Sequence, residues 1–200
     1  MSESARVLIV MALPEENAGG RLDGFGEVLY TGVGKVNAAM MLTRRLSRGP
    51  LPHVVINLGS AGAQQRATGS VVACTAFVEH DMNATALGFA HGQTPFEADV
   101  MLSCPLPVSW QTIGLNEAVC YTGDLFVCEP HTHFEYDVVD MEGYALARVC
   151  QLFCLPLVSL KFITDGADGQ AALDWNDAVI QAAAALAKVM QQIQATQEAG

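Results

Sequence analysis

Asp137-Val-Val-Asp-Met-Glu-Gly-Tyr-Ala-Leu-Ala147 is the stretch whose reading decides the fold. Val138 and Val139 read as a short buried strand that runs straight into a helix from about Glu142 to Phe153. Three carboxylates, Asp137, Asp140 and Glu142, sit on or beside this apolar ladder, where an unpaired charge is expensive. The turn sets Asp140, Met141 and Glu142 at the carboxyl end of a strand, the edge at which open α/β sheets bind ligands. The next apolar run, Leu157-Val-Ser-Leu-Lys-Phe-Ile-Thr-Asp165, ends in a further acid. Two neighbouring strands that deliver carboxylates to one edge define a candidate site.

The same pattern recurs along the chain. Arg6 to Leu13 is a near-continuous apolar run, as expected of a strand buried on both faces, and it too ends in acids at Pro14-Glu15-Glu16-Asn17. Gly26 to Val33 reads as a second strand. Gly32-Val-Gly34-Lys-Val-Asn-Ala-Ala39 then leads into a helix over Val36 to Ser47, apolar at Val36, Ala39, Met40 and Leu46. His53 to Leu58 is the next buried strand, followed by a small-residue turn, Gly59-Ser-Ala-Gly62, and Ser70 to Val78 is another. His80 to Pro95 reads as a loop, Phe96 to Ile113 as an irregular stretch with closely spaced prolines, and Ala118 to Thr122 as a short strand. The last helix starts near Asp174, and Val179, Ala183, Leu186, Met190 and Ile193 form its buried stripe. With no repeat and no linker, residues 1–200 read as one α/β domain whose tail, 195–200, is frayed.

Composition narrows the function classes. A chain of 200 residues with 51% hydrophobic and only 16% charged residues has enough apolar sequence for a large core. The net charge of −11 argues against a nucleic-acid partner or an anionic membrane surface, which need clustered Lys and Arg. The longest apolar run, Val7 to Leu13, falls short of the ~20 residues of a membrane span. The Pro14-Glu15-Glu16 after it does not resemble a signal-peptide cleavage site. Six cysteines without a C-x-x-C pair read as reduced, mostly buried thiols of a cytoplasmic protein. His131-x-His133 and the Cys150/Cys154 pair lack further ligands, so neither a metal nor any other cofactor is expected.

The strand ends collect Glu15 and Glu16, Ser60, Phe126, Met141 and Glu142, and Asp165. No nucleophile-base pair stands out: Ser60 sits in Gly-Ser-Ala-Gly rather than G-x-S-x-G, and no histidine is placed to activate it. Carboxylates against an apolar wall suit a cationic, oxocarbenium-like transition state, in which one acid protonates a leaving group and another activates water. Each residue also has a plainer reading. Asp165 before Gly166 suits a turn cap, Glu142 suits the first turn of a helix, and Glu15 and Glu16 suit a solvated loop. Met141 and Phe126 suit a core. Gly32-x-Gly34-Lys35 reads as a tight turn rather than a phosphate cradle, and His80-Asp81 as a structural pair.

Taken together, the motifs carry a resemblance. They are Ala12-Leu-Pro-Glu-Glu16, Gly32-x-Gly-Lys-Val-Asn-Ala-Ala39, Asn57-Leu-Gly-Ser-Ala-Gly62, and His80-Asp81 with Thr85-Ala-x-Gly88-x-x-x-Gly-Gln-x-Pro95. Gly123-Asp-x-Phe126, Met141-Glu142 and Thr164-Asp165 with Ala167-Asp168 follow. In this order the chain resembles the nucleoside phosphorylase superfamily, specifically the 5′-methylthioadenosine/S-adenosylhomocysteine nucleosidases.

The resemblance implies a three-layer αβα sandwich with a mixed central sheet, and hydrolysis of the N-glycosidic bond of a small-molecule nucleoside to release adenine. It implies that Asp165 protonates the purine at N7, that Glu142 holds the ribose hydroxyls and that Glu16 activates water. Met141 would pack on the sugar, Phe126 would stack on the adenine and the Val127 backbone would read its edge. Ser60 would lie beside Asp165, with Ala61 and Gly62 completing the substrate contacts. Phe96 resembles an aromatic donated across a homodimer interface. Thr164 stands where the family has Ser, Ala63 where it has Gly with a methyl that narrows the pocket, and the stretch from Phe96 to Ile113 is short. Asn57-Leu58 replaces the arginine that phosphorylases use for phosphate, which favours water as the nucleophile. The rival readings are another nucleosidase such as a futalosine hydrolase, a true phosphorylase, and a catalytically silent nucleoside-binding relative.

Overall fold

The computed structural model describes residues 6–127, 135–166 and 171–198. Cys128, His131, His133, Ala167 and Asp168 lie outside the described residues. In chain order the elements are β1 (Val7–Met11), β2 (Glu27–Tyr30), α1 (Lys35–Arg48), β3 (Val54–Gly62), β4 (Val71–Glu79) and β5 (Met101–Ser103). They continue with α2 (Val108–Gln111), β6 (Asn116–Thr122), β7 (Val138–Asp140), α3 (Gly143–Leu152), β8 (Leu157–Asp165) and α4 (Ala171–Glu198).

The sheet is mixed. β1 pairs in parallel with β2 and β3, and β3 runs parallel to β8 from Val55 opposite Leu157 to Gly62 opposite Asp165. β8 is antiparallel to β4, which pairs in parallel with β6 and antiparallel with the short β5. β6 pairs in parallel with β7, and β7 returns to β3 at Val139 opposite Gly62. Strands β3, β8, β4, β6 and β7 therefore close a circuit. Closure requires strong curl, and register shifts at Ala61/Gly62 in β3 and Cys74/Ala76 in β4 lie on that circuit, where irregularities bend strands.

Alternation along the strands feeds two cores. Leu8, Val10, Val55, Leu157 and Ile163 pack with α1 and α3 on one face. Ile9, Met11, Ile56, Leu58, Val158, Leu160 and Phe162 pack with α4 and Trp110 of α2 on the other. This is the three-layer αβα arrangement that the resemblance implies. The stripe Val179, Ala183, Leu186, Met190 and Ile193 is fully buried, as its spacing demands.

Four expectations are corrected. Helix α1 buries Ala38, Leu42 and Leu46, whereas Val36 is 74% and Met40 56% exposed. The helix carries two apolar rows on different faces, Val36/Met40 and Ala38/Leu42/Leu46, and periodicity alone does not choose between them. Gly59 to Gly62 is not a turn but the end of β3, because β8 supplies hydrogen-bonding partners along its whole length. The stretch from Phe96 to Ile113 contains β5 and α2. The last helix begins at Ala171 rather than near Asp174 and continues through Glu198, past the point where fraying is expected.

Leu42→Ala is expected to lower unfolding free energy by about 2–5 kcal/mol through the cavity it leaves. Met40→Ala, on the exposed row, should stay within about 0.5 kcal/mol. Urea denaturation of both variants checks which face of α1 is inward.

Candidate active site

A cavity of about 380 Å³ opens where the carboxyl ends of β1, β3, β7 and β8 converge. Its walls are Ala12, Leu13 and Glu16 after β1, Ser60 and Gly62 of β3, Val139 to Glu142, and Thr164 and Asp165. Val33 and the loop residues Leu125, Phe126 and Val127 complete it. The structure thus brings together Glu16, Ser60, Gly62, Phe126, Val127, Met141, Glu142 and Asp165. Ala61 is not in the wall: it is buried in the core, because its place in a continuing strand turns it to the α1/α3 face. Phe96 is also outside, 95% exposed at a backbone φ of +67°, with its ring 5.4 Å from that of Phe89. The Ala63 methyl points into core rather than narrowing the cavity.

Glu16 is fixed by a short 3-10 turn, Pro14–Asn17, opened by a proline that presets the backbone. One carboxylate oxygen accepts the Ala12 and Leu13 N–H groups, both at 3.1 Å. The other accepts the Ser60 N–H at 3.0 Å and its hydroxyl at 3.2 Å. Ser60 therefore helps to fix Glu16, and it shares the cavity wall with Asp165. Buried Asn17 holds the turn from behind: its amide donates to Asp23 and Tyr30, each at 2.7 Å, and its carbonyl accepts the Leu22 N–H. Glu15 is exposed, so of the two adjacent acids the buried one is Glu16.

The three acids around Val138 and Val139 each find a partner. Asp137 forms a two-point pair with Arg66. Asp140 lies 2.9 Å from the Lys161 ammonium and accepts the Thr122 hydroxyl at 2.6 Å and the Gly143 N–H at 2.9 Å. Burial alone would raise the Asp140 pKa, but Lys161 and Thr122 outweigh it and hold the carboxyl below its usual range. For Lys161 burial likewise works against the charge, and Asp140 overcomes it, so the ammonium is held above its ordinary pKa. Glu142 accepts the Gly34 N–H at 2.8 Å. Burial and then the neighbouring Asp140 charge push its pKa up to about 7, against the opposing pull of Lys161 and the Gly34 amide.

Asp165 ends β8 with 8% of its surface exposed, and its carboxylate accepts the Thr164 hydroxyl at 2.7 Å. That hydroxyl also lies 3.3 Å from the Ala61 carbonyl, which ties the acid to β3. Among the described residues the wall thus carries four carboxylates, Glu16, Asp140, Glu142 and Asp165, and no Lys, Arg or His.

Lys161 and the Gly34 amide escape the sequence reading. A signal for Lys161 exists: a lysine in the middle of Leu157 to Ile163 must find a buried anion. The amide contact joins residues 108 positions apart, which no local pattern reveals.

Glu142 supplies a pH test. Its folded pKa of about 7 lies above the ordinary 4.5, so between those values the folded state binds more protons than the unfolded one. The stability Glu142 contributes is then fully present below pH 4.5 and is lost as pH rises through 7, on the order of 3 kcal/mol in all. Glu142→Gln should abolish that decline and be the more stable protein at pH 8. Denaturation midpoints at pH 5 and pH 8 check this; an unchanged pH dependence in the variant refutes it.

Comparison with known proteins agrees with this geometry. The family model described as the phosphorylase superfamily matches residues 27–195. The 5′-methylthioadenosine/S-adenosylhomocysteine nucleosidase of Anoxybacillus flavithermus is 38% identical over 164 residues, 73% of this chain and 70% of that protein. The enzyme of the same name from Actinobacillus succinogenes is 35% identical over 166 residues, 75% and 72% of the two chains. Among solved structures, the Neisseria meningitidis nucleosidase of that name, in complex with methylthio-immucillin-A, superposes with a TM-score of 0.81 at 27% identity, covering 95% of this chain and 98% of that one. With the fold, the acid-lined cavity and these relatives in agreement, the chain belongs to the phosphorylase superfamily, in the family of the 5′-methylthioadenosine/S-adenosylhomocysteine nucleosidases.

Proposed function

We propose that this protein is a purine nucleosidase that hydrolyses the N-glycosidic bond of 5′-methylthioadenosine and S-adenosylhomocysteine and releases adenine. The observation that carries this reading is a cavity wall with four carboxylates and, among the described residues, no cationic side chain. An oxocarbenium-like sugar is stabilised there, whereas a phosphate dianion is repelled. The nearest buried cation, Lys161, is bound to Asp140.

In this mechanism Asp165 gives its proton to N7 of the purine, so that the base can leave with the electron pair of the C1′–N9 bond. Water adds to C1′, and Glu16, fixed on both its oxygens, accepts the proton the water loses. Glu142 accepts hydrogen bonds from the ribose hydroxyls, with Met141 against the sugar. Phe126 and Val127 take the base. The reading extends to a homodimer in which the outward-facing Phe96 reaches the neighbouring subunit's site, and to the cytoplasm, in keeping with the free thiols among the described residues. Among those residues no helix is long and apolar enough to cross a membrane.

The test is adenine release from methylthioadenosine, first in phosphate-free buffer and then with phosphate added. Equal rates are expected. Release that requires phosphate makes the chain a phosphorylase and removes the role of Glu16. Asp165→Asn should lower kcat by about 10²–10⁴ while the protein stays folded by circular dichroism; near-normal turnover excludes Asp165 as the general acid.

A further inference from the structure

Three consecutive residues at the entrance to α1 serve different parts of the site. Val33 lines the cavity, the Gly34 N–H holds Glu142 at 2.8 Å, and the Lys35 N–H donates to Asp124 Oδ1 at 2.8 Å. Asp124 begins the segment that sets Leu125, Phe126 and Val127 against the cavity. The Lys35 ammonium lies 2.7 Å from Glu79 at the end of β4, 2.5 Å from Asp81 and 3.9 Å from the second Asp124 oxygen. Asp81 in turn accepts the Asp124 N–H at 2.9 Å. Asp124 is thus gripped at its side chain by Lys35 and at its backbone by Asp81, and the Lys35 ammonium also pairs with Asp81.

The charges show what Lys35 does. Glu79, Asp81 and Asp124 crowd around one cation, and without it three carboxylates repel one another. The Lys35 side chain is only 17% exposed, which limits screening by salt. Burial by itself would lower the Lys35 pKa; the hydrogen bonds its ammonium donates to Asp81 and Glu79 more than offset it, so the charge is held. The fit leaves little slack, since a Cβ on Gly34 would meet Asp124 Oδ1 at 3.1 Å and φ there is +94°. The proposed reaction uses none of these four charged residues.

We propose that Lys35 is a positioning residue for the nucleoside site: through Asp81 and Asp124 it fixes the 123–127 segment in register with the Gly34 amide that orients Glu142. Binding of the nucleoside, rather than the chemical step, depends on it. The inference rests on the nucleosidase reading only for the identity of the substrate.

Two measurements on Lys35→Met decide it. Hydrogen exchange across residues 123–127 should speed up relative to the unsubstituted protein. KM for methylthioadenosine should rise about tenfold while kcat stays within about threefold, and Lys35→Arg should recover most of the KM loss. Arg45→Met, which removes the Arg45–Glu27 pair near the far end of the same helix, should change neither quantity. Equal effects from Arg45→Met and Lys35→Met would reduce the role of Lys35 to helix stability and overturn the proposal. If Lys35→Met does not fold, Asp124→Ala, whose side chain is 47% exposed, cuts the same tie, and a KM rise of about threefold or more with faster exchange supports it. Unchanged exchange and KM in a folded Lys35→Met, or in Asp124→Ala where that variant must decide, overturn it. An unsubstituted protein that releases no adenine defeats the nucleosidase reading alone, because the exchange comparison still decides whether Lys35 holds the segment.

Discussion

Lys161 and Asp140 face each other at 2.9 Å with 2% and 1% of their side chains exposed, buried behind the acidic wall of the cavity. Burying two charges is costly, and losing one partner from such a pair typically costs about 3–5 kcal/mol because the other is left uncompensated. Here the pair joins elements that are far apart in sequence. Lys161 comes from β8 and Asp140 from β7, while the Thr122 hydroxyl from β6 and the Gly143 N–H at the start of α3 complete the carboxylate's partners. The Thr122 oxygen also accepts the Tyr144 N–H, so the first turn of α3 is fixed twice. Glu142 immediately precedes that turn, and its aim into the cavity follows from the anchoring.

This arrangement also explains how an acidic site is tolerated. Four carboxylates converge in the wall, and each is compensated differently. Glu16 is satisfied by backbone amides and a hydroxyl, Asp140 by an ammonium, Asp165 by a hydroxyl, and Glu142 by a single amide. Of these four, Glu142 is the one whose pKa burial lifts to about 7. Sites that bind or react commonly keep groups that the rest of the fold would prefer neutral. Gly59 shows how close the packing is, since a Cβ there would lie 3.0 Å from Glu16 and 3.6 Å from the Lys161 ammonium.

Most strands and the site acids were legible because their signals are local. Continuous apolar runs marked β1, β3 and β8, acids followed the strand ends, and the 4-3-4-3 stripe of α4 named its buried face correctly. Errors arose where local signals were degenerate. Helix α1 offers two apolar rows, and Gly59-Ser-Ala-Gly62 has turn composition but strand partners on both sides. Ala61 was grouped with its neighbours Ser60 and Gly62, yet alternation along an extending strand turns it into the core.

The sequence by itself determined an α/β domain with acids at its strand ends, from residue type and short-range spacing, and a family resemblance, from motif order, which implied the αβα layering and singled out Glu16, Glu142 and Asp165. Only the tertiary structure decided that five strands close a circuit, that Lys161 neutralises Asp140, and that the entrance to α1 grips both Glu142 and Asp124. Those features join residues up to 108 positions apart. A hydrogen bond or ion pair of that kind is fixed by where the sheet curls, and the curl is set by the packing of the whole chain.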